Sequence, residues 1–231
     1  MKKGFTLAEV LITLGVIGVV AALTLPNLLQ NHQKKVFVTQ LQRAVNLISN
    51  SATQLVSDEN APSLDDTYLV AVNNDYKNAQ GKFMNKYFKV ARDCGTDNRA
   101  ACLGEIYYSL DRTATTNLAN VLNDSGWAGP YYCVTVNTGA TICMTTMSKD
   151  WEHNFSQVVL DVNGPAGPNT SGRDLFDFYL YSDGKIANSY DVNNPHYEYQ
   201  SSGERCQDLK DIAYGGSCFQ HLQANGWVMD Y

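Results

Sequence analysis

The sequence predicts an α+β fold: a long N-terminal α-helix, membrane-spanning in its first half, packed on an antiparallel β-sheet globular domain with disulfide-closed loops. Three observations predict it. Residues 5–29 form an apolar run with a single charge. A one-sided helical stripe follows that run. Beyond residue 58 the chain becomes rich in Tyr, Asn, Gly and Thr, and all six cysteines lie beyond residue 90.

The apolar run comes first. No residue from Val10 to Asn31 carries a formal charge. The stretch from Phe5 to Leu29 would span about 37 Å as a helix. That is enough to cross a hydrocarbon core of roughly 30 Å. Lys2 and Lys3 precede it, and the positive-inside bias holds that end in the cytoplasm. The overall hydropathy is mildly negative, so one membrane segment is expected. Glu9 is the one charge inside the run. A carboxylate there is expensive and marks a functional position. Gly15 and Gly18 lower helix propensity and permit close helix contact. Pro26 removes a helical hydrogen bond and kinks the axis. A plain kinked membrane helix would carry the same three residues.

The second half of the helix has its own signal. Val38, Leu41, Val45, Ile48, Ala52 and Leu55 step by three and four, which is one apolar stripe. Gln40, Gln42, Arg43, Asn46, Asn50 and Gln54 fall off it. A helix from Phe5 to about Val56 would be roughly 80 Å long. Asp58-Glu59-Asn60-Ala61-Pro62 stops it.

The pattern Lys3-Gly4-Phe5-Thr6-Leu7-x-Glu9-x-Leu11-x-x-Leu14, with Pro26 further on, resembles the N-terminus of type IV prepilins and type II secretion pseudopilins. The resemblance implies cleavage between Gly4 and Phe5 by a membrane prepilin peptidase, which also methylates the new amine of Phe5. Gly4 suits such a site because a residue without Cβ lets the backbone enter a tight cleft. The resemblance also implies that Glu9 pairs with the Phe5 ammonium of a neighbouring subunit during assembly. A buried carboxylate without a counter-charge is strongly unfavourable, so the pairing would set subunit register. The stretch around Gly15, Gly18 and Pro26 would loosen as the polymer forms. Two other readings of the segment stay open. It could be a secretory signal peptide cut after Ala22, although Glu9 sits badly in an uncharged h-region. It could also be an anchor that is never cut.

The chain then divides into a leader at 1–4, a transmembrane and assembly half-helix at 5–29, an amphipathic half-helix at 30–57 and an extracytoplasmic β-rich domain at 58–231. Expected strands are Tyr68–Val72, Ile106–Leu110, Tyr131–Val136, Thr141–Met147, Gln157–Val162, Leu175–Ser182 and Lys185–Tyr190. Asp183-Gly184 reads as a hairpin turn. Asn78–Val90 reads as a short helix.

The cysteines are Cys94, Cys102, Cys133, Cys143, Cys206 and Cys218. An even number in an exported domain implies disulfides, although six cysteines allow 15 connectivities. Nearest-neighbour pairing is the expected choice: 94–102, 133–143 and 206–218. For the middle pair, a three-residue loop at Asn137-Thr138-Gly139 puts Cys133 opposite Cys143. A metal site is the competing use, but no C-x-x-C is present and the histidines do not cluster with the cysteines. Disulfides place the domain in an oxidising compartment. The 206–218 loop resembles the disulfide-closed C-terminal loop of many pilins, which forms exposed, variable surface.

Residues 161–174 alternate oxygen side chains with turn residues, which would suit a calcium loop. Asp161, Asn163, Asn169 and Asp174 would be the ligands of a structural Ca²⁺, the one cofactor the sequence suggests. The run is not an EF-hand, because Pro165 and Gly172 stand where ligands are needed. An ordered turn stapled by Asn and Asp is the alternative.

No catalytic constellation is found. Ser217 lies in Gly-Gly-Ser-Cys-Phe, which lacks the closing glycine of a nucleophile elbow. There is no phosphate-binding loop and no H-E-x-x-H. His32, His153, His196 and His221 are scattered. The formal charge is −6, and −8 once Lys2 and Lys3 are removed, which argues against general nucleic-acid binding. The reading is therefore a non-enzymatic filament subunit, a pilin or pseudopilin. Its implied partners are other subunits, the prepilin peptidase and methyltransferase, an inner-membrane assembly platform and membrane lipid. Its implied location is the inner membrane, then a periplasmic or cell-surface filament. A minor tip pilin or adhesin, and a membrane-tethered exported enzyme, remain as alternatives.

Overall fold

The structure is a computed structural model, and it describes residues 4, 6–70, 76–123, 130–150, 153–187, 206 and 216–231. Contacts divide the chain into two compact units, Met1–Val36 and Phe37–Tyr231. The helix α1, Leu7–Glu59, contributes to both.

In the first unit α1 buries nothing. Leu11, Ile12, Leu14, Ile17, Leu23 and Leu28 are all well over half exposed. The helix continues through Pro26. A Cβ added at Gly15 or Gly18 would meet no atom within 4 Å, so both glycines present open backbone. An apolar surface of this length fits a membrane span by length and composition.

In the second unit the same helix becomes one-sided. Val38, Leu41, Ala44, Ile48, Ser51, Ala52 and Leu55 are buried. Val45 is only half-buried, and Ala44 takes the inner position expected for it. The buried line drifts by one residue because the helical period is 3.6 rather than 3.5. The stop at Asn60 is a Schellman closure. Asn60 has φ 50°, its N–H donates to Ser57 O (3.2 Å), and the Ala61 N–H donates to Val56 O (3.0 Å).

The stripe joins the core of an antiparallel sheet. Among the described residues the sheet has seven strands: β1 (Val90–Gly95), β4 (Tyr132–Val136), β5 (Thr141–Met144), β6 (Ser148–Asp150), β7 (His153–Asp161), β8 (Leu175–Tyr181) and β9 (Ile186–Ala187). Their order is β1-β4-β5-β7-β8-β9, with β6 also on β7. Tyr107–Tyr108 (β2) and Thr115–Thr116 (β3) form a separate two-stranded pair. Val134, Ile142, Val158, Leu160, Phe176, Phe178 and Leu180 share the core with α1. The opposite face is covered too. There Cys133, Cys143, Val159 and Leu175 pack with Tyr107, Leu118, Leu122 and Tyr131. Burial on both faces explains why β8 shows no polar alternation.

The helices follow in sequence: α2 (Tyr76–Tyr87), α3 (Leu118–Val121) and α4 (Gly216–Ala224). Asp58, at the end of α1, is tied to α2 by Lys86 Nζ (2.8 Å) and the Tyr87 hydroxyl (2.9 Å). The Lys86 hydrogen bond holds Asp58 down at about 2. On α4, Phe219 stacks on Phe178 of β8 with centroids 4.6 Å apart.

Several expectations need correction. Residues 67–70 make turns, not a strand: the Thr67 hydroxyl donates to Leu64 O and accepts from the Leu69 N–H. Val70 makes a single parallel bridge to Met147, and residues 71–72 lie outside the described set. The expected strand Thr141–Met147 breaks after Met144. Thr145 there takes both its backbone and its side chain to Gln157, and β6 resumes the pairing with β7. The expected strand at 106–110 shortens to β2. The helix expected over Asn78–Val90 ends at Tyr87. Val90 instead opens β1, an edge strand with two register shifts. Those shifts break period-two alternation, so β1 had no sequence signal.

Candidate processing and assembly site

The N-terminal site is built on the first turn of α1. Gly4 is described and exposed, whereas Phe5 lies outside the described residues. The Thr6 N–H donates to Glu9 Oε2 at 2.8 Å, and the Thr6 hydroxyl donates to the same oxygen at 2.9 Å. In return the Glu9 N–H donates to Thr6 Oγ1 at 3.2 Å. This is a capping box, Thr-x-x-Glu, in which each side chain accepts the other residue's orphan N–H at the helix start. The sequence reading, which paired Glu9 only with a Phe5 ammonium, missed this partner. Its signal was the three-residue spacing from Thr6 to Glu9.

The 161–174 loop is a second polar centre. Asp161 is 1% exposed, accepts from the Tyr107 hydroxyl (2.6 Å) on Oδ2 and from the Asn163 N–H (3.2 Å) on Oδ1. Asp174 is fully buried and accepts from the Asn169 N–H (2.7 Å) and the Thr170 N–H (2.6 Å). Asn163 Nδ2 donates to Ala166 O and Gly167 O, and Asn169 Nδ2 donates to Ile106 O. Both carboxamide oxygens are buried and take no hydrogen bond among the described residues. Every carboxylate oxygen here already takes a hydrogen bond from the chain, which is how Asx turns are stapled. No group of three or more His, Cys, Asp and Glu that could hold a metal ion occurs among the described residues. The Tyr107 partner, 54 residues away in sequence, carried no local signal.

Burial pushes both acids upward. Asp161 is held well above the usual carboxylate range by burial, with the charge of Asp174 adding to it. Burial lifts Asp174 to about 6, against the N–H donors of Thr170 and Asn169. Both folded values exceed the ordinary aspartate value, so the folded state holds these protons more tightly than the unfolded chain. The contribution of Asp174 is therefore complete below pH ~4 and lost as pH rises through about 6, an effect of up to about 3 kcal/mol. Asp58, Asp183 and Asp230 are shifted down, so they act only at lower pH. The urea midpoint of the protein in detergent should rise between pH 7.5 and 5, and Asp174→Asn should flatten that rise. A midpoint that falls across the interval contradicts this assignment.

Sulfur bonds join Cys94–Cys102, Cys133–Cys143 and Cys206–Cys218. Cys133 lies directly opposite Cys143, and Gly139 has φ 91°. Cys206 and Cys218 are buried, at 1% and 0% exposure, with Cys218 inside α4. The exposed loop expected between them falls at 207–215, outside the described residues. The third disulfide packs on the 161–174 loop: a Cβ on Gly172 would sit 2.5 Å from Cys218 Sγ. Gly172 also has φ 77°, and its carbonyl accepts the Tyr231 hydroxyl at 2.8 Å. Gly172→Ala combines left-handed strain with overpacking and should cost about 2–4 kcal/mol in a urea melt. An unchanged midpoint would show that the disulfide and loop do not pack this way.

An open cleft of about 130 Å³ lies between the end of α1 and the β8–β9 turn, lined by Ala52, Val56, Leu64 and Asp183 among others. Asp183, its one ionisable group, is paired with Lys185 at 2.6 Å. His221 pairs with Asp230 at 2.7 Å beside Tyr231.

No curated protein and no solved structure matches the chain. Residues 1–25 match the family model described as the prokaryotic N-terminal methylation motif. The chain thus carries, within residues 1–25, the prepilin-type cleavage and methylation signal.

Proposed function

We propose that this protein is a structural subunit, a pilin or pseudopilin, of a type IV pilus or type II secretion filament. The observation that carries the reading is the methylation motif at residues 1–25, placed at the start of a helix whose first half buries nothing. The precursor is inserted with Lys2 and Lys3 in the cytoplasm, cut between Gly4 and Phe5, and methylated on Phe5. The apolar run survives the cut and holds the mature chain in the inner membrane. Glu9 then pairs with the ammonium of a neighbouring subunit as both leave the bilayer. In this scheme the protein is a substrate of the peptidase and not a catalyst. Its partners are other subunits, the processing enzyme and an assembly platform.

N-terminal mass spectrometry of the protein from its native host tests the reading. The expected mature chain begins at N-methylated Phe5. A chain that begins at Leu23, or retains Met1, removes it.

A further inference from the structure

We propose that residues 225–231 form a strap over the Cys206–Cys218 disulfide, and that this strap decides when a thiol can reach it. Both cysteines are sealed off, at 1% and 0% exposure. The backbone of Gly172 lies against them: a Cβ there would sit 2.5 Å from Cys218 Sγ and 3.7 Å from Cys206 Sγ. The Tyr231 hydroxyl donates to the Gly172 carbonyl at 2.8 Å, so the strap pins this cover onto the bond. The strap is tied back to α4, the helix that carries Cys218. His221 Nε2 meets Asp230 Oδ1 at 2.7 Å, and Asn225 Nδ2 donates to Asp230 Oδ2 at 3.0 Å. Met229 is buried, and Trp227 packs edge-on against Phe219 with centroids 6.0 Å apart.

The strap is the weak part of this arrangement. Gly226 and Trp227 are both left-handed, at φ 62° and 63°, which is strained backbone for a tryptophan. Asn225, Val228 and Asp230 are exposed. A short segment with strain and few buried contacts opens locally, at far lower cost than a packed sheet. Once it opens, Gly172 loses its pin and the sulfurs become accessible. A dithiol then exchanges with the bond. Its thiolate attacks one sulfur, its second thiol displaces the mixed disulfide, and it leaves as a disulfide while Cys206 and Cys218 become thiols. The reverse sequence forms the bond. The partner is therefore a dithiol–disulfide oxidoreductase, which acts on this bond before the strap closes and is excluded afterwards. The strap works in the same way whether or not the chain polymerises.

The test treats the full chain, in detergent and without denaturant, with dithiothreitol. New thiols are alkylated, and each disulfide is followed by peptide mass spectrometry. Cys133–Cys143 joins neighbouring strands β4 and β5, so its reduction reports opening of the whole sheet. Tyr231→Phe removes the hydrogen bond to Gly172 and should speed reduction of Cys206–Cys218 about fivefold. Tyr231→Ala removes the ring as well and should speed it by more than about tenfold. Neither change should alter the rate at Cys133–Cys143. Wild-type rates at Cys206–Cys218 in both variants overturn the proposal. Equal acceleration of both disulfides also overturns it, because Tyr231 would then stabilise the domain without gating one bond. A wild-type Cys206–Cys218 bond that is reduced as fast as in the urea-unfolded chain shows that no seal exists. If Tyr231→Ala does not fold, Tyr231→Phe, which keeps the ring, decides the matter.

Discussion

Leu41→Asp should abolish the folded domain. Leu41 is 0% exposed and sits in the core that α1 shares with β4, β5, β7 and β8. An aspartate there exchanges a packed side chain for an unpaired buried charge. Loss of packing alone costs about 2–5 kcal/mol, and the uncompensated carboxylate adds several more. Typical domain stability is about 5–15 kcal/mol, so little would remain. Asn46, on the exposed side of the same helix, is the control. Asn46→Asp should move stability by no more than about 0.5 kcal/mol. Val45→Asp should fall between the two, because Val45 is half-buried at the edge of the core. Protease resistance and urea melts of the detergent-solubilised proteins give the comparison. A Leu41→Asp protein that melts like wild type would show that the stripe is not the buried face.

Glu9→Ala should have the opposite signature: a folded domain and little or no filament. Glu9 lies in the unit that buries nothing, so its loss removes no core contact. Under the proposed assembly scheme it leaves an ammonium of the neighbour without its counter-charge. Breaking one side of a buried pair costs about 3–5 kcal/mol, so filament yield should drop by more than about tenfold. Urea midpoint and disulfide content should match wild type. Normal filament yield from Glu9→Ala would show that the carboxylate does not guide assembly. The pair of variants separates the two halves of α1, since one loses the fold and the other only the polymer.

Both halves of that helix were legible because each writes a local, periodic signal. An uncharged run states its length directly, and a stripe of steps three and four states its face. The disulfide at Cys133–Cys143 was readable for the same reason. Its register depends only on the nine residues between the two cysteines and on Gly139 at φ 91°. The Asp183-Gly184 turn between β8 and β9 is equally local, with Gly184 at φ 81°.

Other features depend on partners distant in sequence, and there the chain carried no signal. β1 is a strand because β4 pairs with it across some forty residues, through a ladder interrupted twice. Its exposed Arg92 and Asp93 read as loop until that pairing is known. The turn at Thr67 overrode a run of β-formers because its hydroxyl supplied competing local hydrogen bonds. α4 is a short helix, unfavourable alone, that exists by packing Phe219 on Phe178. By itself, then, the sequence determined the membrane-length helix, the processing signal, the inner stripe and the β-rich disulfide domain, since each rests on residues within a few turns of one another. The tertiary structure decided that the 161–174 acids are buried, one of them against Tyr107, and that the last disulfide is core. Burial and long-range hydrogen bonding are properties of packed neighbours, and no local pattern records them.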